Sequence, residues 1–132
     1  MTQTLHRFFY HSQLADSYGA VCVSDIIKTA RLFNATHGIT GVLVFDGTRF
    51  CQYFEGPETA VRHLIASIQK DPRHTAFTPL LDAPLTGPRV YEGWVMAYCL
   101  LEGMPFIEAL LQKTPQEALE FLHASRNMLD MA

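Results

Sequence analysis

The spacing of apolar positions changes several times along the chain, and each change marks an element. Leu5–His11 (LHRFFYH) is dense in aromatics and reads as a first strand. A polar stretch follows, with Ser24 as a candidate N-cap and Asp25 in a first helical turn, where the helix dipole favours a carboxylate. Ile26, Ala30 and Phe33 recur at i, i+4 and i+7, predicting a helix that stops near Thr36–His37 with Gly38 at its C-cap. Residues 39–56 (ITGVLVFDGTRFCQYFEG) hold two β-rich runs around Asp46-Gly47, a strong hairpin signal that Thr48 can lengthen slightly. Pro57 suits the first turn of a second helix, with Val61, Leu64, Ile65 and Ile68 on its inner face, and 71-DPRH-74 closes it. Thr75–Leu81 is a fourth strand interrupted by Pro79, and Gly93–Leu101 (GWVMAYCLL) is a fifth.

The composition shifts at Glu102-Gly103. Beyond it, Pro105–Lys113 and Pro115–Leu129 carry apolar stripes at helical spacing: Phe106, Leu110 and Leu111, then Leu119, Phe121, Leu122 and Leu129. Thr114 is placed as the cap of the second stretch, and Pro115 at its first position. The order is that of an α+β, ferredoxin-like β-α-β-β-α-β sandwich with a fifth strand and two C-terminal helices. Residues 1–101 form the main domain in this reading and 102–132 a helical cap. Two helices cover one sheet face, and the tail helices are placed to cover the other.

Composition narrows the function. At 132 residues, 48% apolar and 17% charged, the chain can bury one real core. A net charge of −3 provides no basic field for nucleic acid. No apolar run is long enough to span a membrane, and MTQTLHRFF lacks the order of a secretory signal. Cys22, Cys51 and Cys99 are odd in number and far apart, as suits buried thiols in a reducing cytoplasm. There is no CxxC or HxxxH pair for a metal, no phosphate-cradling glycine loop and no Ser-His-Asp set, so the residues point to no enzyme.

What remains conspicuous is polarity inside apolar strands. Gln52 stands among Phe50, Cys51, Tyr53 and Phe54, where an amide without partners costs about 1–3 kcal/mol. It is therefore either held structurally or set against a ligand. Tyr10 beside Phe8 and Phe9 can be a core tyrosine or a site group, Asn34 a helix-end cap or a recognition group. Trp94 and Met96, two apart, share a strand face and read alone as core. Glu55 before Gly56 reads as a turn carboxylate, and Asp71 with Arg73 as a helix-end ion pair. The histidines fall in separate elements with no ligand spacing.

Together, 10-YHS-12, 30-ARLFNATHGITGVLVF-45, 50-FCQYFEGP-57, 68-IQKDPRH-74 and 93-GWVM-96 resemble the signature of the BLUF domain, the blue-light sensor that uses flavin. The resemblance covers roughly residues 5 to 100 in order, with GITG followed by F-x-Q-x-x-EG its most specific part. It implies a non-covalently bound oxidised flavin, FAD with FMN as the alternative. Tyr10 and Gln52 would bond each other and the ring edge, Asn34 the pyrimidine edge, and Asp71 the ribityl chain. Ile26 and Ile68 would sandwich the ring, with Phe50 alongside. Trp94 and Met96 would be the switch pair that repacks against Gln52. Blue light would draw an electron and proton from Tyr10, after which Gln52 rotates or tautomerises. The chain departs from the family pattern at Phe33, Ser67 and Val95, often polar, arginine and serine there.

With about 30 residues after the sensory fold, the reading is of a short, stand-alone photoreceptor. It signals to a separate effector protein and self-associates as a homo-oligomer. Two rival classes stand beside it. One is a light-independent module that binds a colourless metabolite through Gln52 and Asn34; the other is a small enzyme, disfavoured by the missing nucleophile and base.

Overall fold

A computed structural model of the protein describes residues 4–16, 18–19, 22–94, 97–100 and 106–125. The chain runs β1 (Leu5–Leu14), α1 (Cys22–His37), β2 (Thr40–Phe45), β3 (Arg49–Pro57), α2 (Glu58–Lys70), β4 (His74–Pro84), β5 (Ala97–Leu100), α3 (Phe106–Leu111) and α4 (Pro115–Ser125). The sheet order is β4-β1-β3-β2-β5. The first four strands pair antiparallel, and β5 adds parallel to β2. This is the expected ferredoxin-like sandwich with its additions.

Both faces of the sheet are buried, which is why β2 and β3 read as near-continuous apolar runs. On one face Phe8, Tyr10, Leu43, Phe45, Phe50 and Phe54 pack against Val23, Ile26 and Ile27 of α1 and Val61 and Leu64 of α2. On the other, Phe9, Val42, Val44, Cys51 and Tyr53 meet Ile107 and Leu110 of α3 and Ala118, Leu119 and Leu122 of α4. The tail stripes thus lie against the sheet as expected. Burying each such side chain contributes about 1.5–3 kcal/mol.

Several ends move from their expected places for local reasons. The helix α1 starts at Cys22, whose N–H bonds to Gly19 O at 3.1 Å, so Ser24 lies inside the first turn rather than capping it. Its C-terminus is as expected: Gly38 takes φ +71°, and the Ile39 N–H reaches back to Asn34 O at 3.0 Å, closing a Schellman turn. Pro57 precedes α2 as its N-cap instead of entering the first turn. The hairpin turns at Gly47-Thr48, where Asp46 Oδ1 accepts from the N–H groups of Thr48 and Arg49 at 3.0 and 2.7 Å. Pro79 fits because β4 is an edge strand with two register shifts against β1.

Gly93 and Trp94 do not open the fifth strand as expected. It begins at Ala97; Tyr91–Gly93 form a turn that the Trp94 N–H closes on Tyr91 O at 3.0 Å, so Trp94 precedes the strand. Met96, Val95, the break at Glu102-Gly103 and the expected end of the last helix at Leu129 lie outside the described residues. Thr114 does cap α4: its Oγ1 accepts from Glu117 N at 3.2 Å while Glu117 Oε1 accepts from Thr114 N at 3.1 Å, a reciprocal capping box.

The glycines of GITG and EG have a packing cause. A Cβ at Gly41 would run into the Tyr53 carbonyl oxygen and stand 2.8 Å from Phe54 Cα; one at Gly56 would stand 2.9 Å from Gly38 O. Because these obstacles are backbone, relief at Gly41 requires β2 and β3 to separate, and relief at Gly56 requires the Gly38–Ile39 turn to move. Gly41→Ala is therefore expected to cost about 2–3 kcal/mol, read as a lower midpoint in denaturant unfolding.

Candidate functional site

Tyr10 and Gln52 are opposite each other in the β1–β3 ladder, and both point toward α1 and α2. The Tyr10 hydroxyl donates to Gln52 Oε1 at 2.5 Å, with both side chains buried. Burial raises the phenol far above its ordinary pKa, and the nearby Cys51 and Asp71 add to the shift. The hydroxyl therefore keeps its proton and presents it to the amide. The carboxamide is accordingly held by a phenol, and its side chain also lines a cleft.

That cleft lies between the two helices. Ile26 and Ala30 of α1 face Leu64 and Ile68 of α2, Leu43 contributes from the sheet, and Asp71, Arg73 and His74 supply a polar edge. It holds about 680 Å³ of space free of protein atoms, open solvent at its mouth included. Asp71 is tied to Arg73 by bonds of 2.7–3.1 Å. Burial alone would raise the Asp71 carboxyl, but the Arg73 side chain and backbone N–H outweigh it and hold the group below its usual value.

Of the predicted site residues, Ile26, Gln52, Ile68 and Asp71 line the cleft. Asn34 follows Ile26 and Ala30 on the same face of α1 and is wholly buried. Phe50 is buried too, its ring 4.7 Å from that of Phe45 and 4.8 Å from His74. Trp94 is not brought to the cleft. It packs on the opposite sheet face, its ring 5.1 Å from Tyr91.

Two apolar helix walls and one buried carboxamide suit a flat heteroaromatic ring with a polar rim, and so fit a flavin. Residues 5–97 match the family described as sensors of blue light using FAD, BLUF. The chain belongs to the BLUF family. It is a blue-light sensor of the flavin-using kind.

Among curated relatives, it is 35% identical over 119 residues to the photoactivated adenylate cyclase subunit beta of Euglena gracilis, covering 89% of this chain and 14% of that one. It is 32% identical over 77 residues to the blue light- and temperature-regulated antirepressor BluF of Escherichia coli K12, covering 58% and 19%. The chain thus spans under a fifth of the length of these relatives. Two solved structures match over nearly their whole length. BlrB, a BLUF protein in its dark state, gives a TM-score of 0.81 at 27% identity, covering 95% of this chain and 96% of that one. The photo-activated state of BlsA gives 0.81 at 25% identity, covering 97% and 98%.

Residue patterns missed two polar groups, one at the cleft and one beneath the sheet. His74 has no sequence partner at ligand spacing, yet it lines the cleft, and its Nδ1 lies 2.8 Å from Ser12 Oγ. That contact joins residues 62 apart in sequence, beyond the reach of any local signal. Glu55 is no turn carboxylate: it is fully buried and accepts from Tyr53 Oη at 2.8 Å. Its neighbours in sequence are apolar, and a search for buried polar groups of the kind that singled out Gln52 could have found it.

Burial lowers the His74 pKa below 6.5, Asp71 partly opposing and Arg73 reinforcing the shift. The folded state therefore holds this proton less tightly than the unfolded chain. The stability contributed by neutral His74 is full above pH 6.5 and declines as pH falls toward the folded value. In denaturant titrations between pH 7 and 5, wild type should lose stability more steeply than His74→Gln, by up to about 1.4 kcal/mol per pH unit.

Proposed function

We propose that this chain is a photoreceptor that turns no substrate over, in which residues 1–101 bind FAD and 102–132 form a helical cap that carries the signal to a separate effector protein. The observation that carries the reading is the buried Tyr10–Gln52 hydrogen bond beside the cleft. FAD is favoured by the description of the family, and FMN would use the same ring site. Among the described residues no three metal-binding side chains cluster, and no helix is long and apolar enough to cross a membrane. A cytoplasmic site of action and self-association complete the proposal.

Bound flavin supplies the absorption of blue light and an acceptor for one electron. The chain supplies the rest. Ile26 and Ile68, which line the cleft from α1 and α2, would hold the ring between two apolar walls. Asn34 and Gln52 would offer amide groups to its polar edge, and Asp71, fixed by Arg73, would meet the chain that leaves the ring. Tyr10 holds a transferable proton directly on Gln52 Oε1.

An amide has a donor end and an acceptor end, so Gln52 can satisfy the site in two orientations. In the structure its oxygen faces Tyr10. Loss of the Tyr10 proton removes the donor that favours this orientation; its return can find the amide reversed. Two arrangements of similar energy in one pocket make a switch. Trp94 and Met96 report its state to the cap.

The purified protein should be yellow and show a reversible red shift of its blue absorption band after illumination. Tyr10→Phe and Gln52→Leu should keep the colour and lose the shift. Ile68→Ala, by opening one wall, should weaken flavin binding about tenfold in a fluorescence titration. A colourless preparation that flavin cannot reconstitute would favour a metabolite-binding module instead.

A further inference from the structure

On the sheet face opposite the cleft, a buried carboxylate ties β3 to the Tyr91 segment, and that segment in turn meets α4. Glu55 of β3 has no exposed surface. Its Oε1 accepts from Tyr53 Oη at 2.8 Å and its Oε2 from the Tyr91 backbone N–H at 2.7 Å. Hydrogen bonds to a carboxylate are about twice as strong as neutral ones, so this group is a firm anchor in an apolar surround. Tyr91, also without exposed surface, places its hydroxyl 3.0 Å from His123 Nδ1 of α4. The His123 ring stands edge-on to Tyr53, with centroids 4.8 Å apart.

The segment that carries Trp94 is pinned to the sheet at three points, Glu55 among them. Arg89 donates to Thr40 Oγ1 at 3.1 Å, Tyr91 donates to Glu55, and the Trp94 carbonyl accepts from Gly41 N at 2.8 Å. Tyr53 follows Gln52 directly, and consecutive strand side chains point to opposite faces. The peptide that carries the switching amide on the cleft face thus also carries the Tyr53 ring beneath. From that ring, contacts run to Glu55, Tyr91 and His123 without a gap. Sliding any of the three elements breaks one of these hydrogen bonds.

We infer that Glu55 and Tyr91 are positioning residues that hold the Trp94 segment on the sheet and pass the rearrangement at Gln52 to α4 through the Tyr91–His123 hydrogen bond. The inference rests on the photoreceptor reading and specifies its output route. The cleft, Tyr10 and Gln52 do not depend on it.

The test compares hydrogen exchange of the flavin-loaded chain in the dark and under blue light, with the absorption shift recorded on the same samples. Wild type should lose protection over 115–125 on illumination. Tyr91→Phe keeps the ring and its packing but removes the hydroxyl. It should retain the full red shift while the light-induced change in α4 falls about threefold or more. His123→Leu, acting from the other partner, should do the same. A full red shift with an undiminished α4 change in both variants overturns this inference alone. So does equal loosening of α4 in dark and light, the mark of a merely structural bond, or a wild type whose α4 ignores light. Absence of the red shift from wild type overturns the photoreceptor reading, and this inference with it.

Discussion

The structure depends on one contact, a phenol donating to a carboxamide across two central strands of a sheet that is covered on both sides. In water, exchanging one hydrogen bond for another costs little. Inside this sheet a polar group left without its bond is costly, so the contact orients both side chains. It also sets the charge state. The buried Tyr10 hydroxyl is far from ionising, so Gln52 always meets a neutral donor in the dark. Ile26, Ala30, Leu64 and Ile68 then need only leave a slot beside the amide for a flat ligand to share that environment.

Much of this was legible in the residues because local chemistry fixed it. The Asp46-Gly47 turn, the Gly38 helix stop, the Thr114 cap and the alternation from β2 into β3 each rest on groups within a few residues of one another. So does the anomaly of Gln52, an amide where every neighbour is apolar. What was not legible depends on distant partners. His74 finds Ser12 on β1, and Glu55 finds the Tyr91 backbone 36 residues later. Ser24 is a good cap in isolation, but the Gly19 carbonyl starts the helix before it. Trp94 fits a strand pattern until the turn at Tyr91–Gly93 takes it out of line.

The two sheet faces divide the labour. Between α1 and α2 the packing is incomplete, which leaves the cleft. Against α3 and α4 it is close, and the polar groups there are bonded to one another across elements. A ligand site needs room and a signal path needs rigidity; the pleat lets one strand, β3, contribute to both by alternate side chains. Gly41 serves the same end, because a bulkier residue there would push apart the strands that carry Gln52 and Val42–Phe45.

The outer rim of β4 has a consequence for assembly. Pro79 can donate no backbone bond there, Ala76 sits at φ +52°, and two register shifts kink the ladder behind them. A foreign strand approaching this side meets a broken row of donors and acceptors, the usual natural guard against runaway stacking. Copies of the chain that join by continuing the sheet are thereby steered to the far margin, formed among the described residues by Ala97–Leu100.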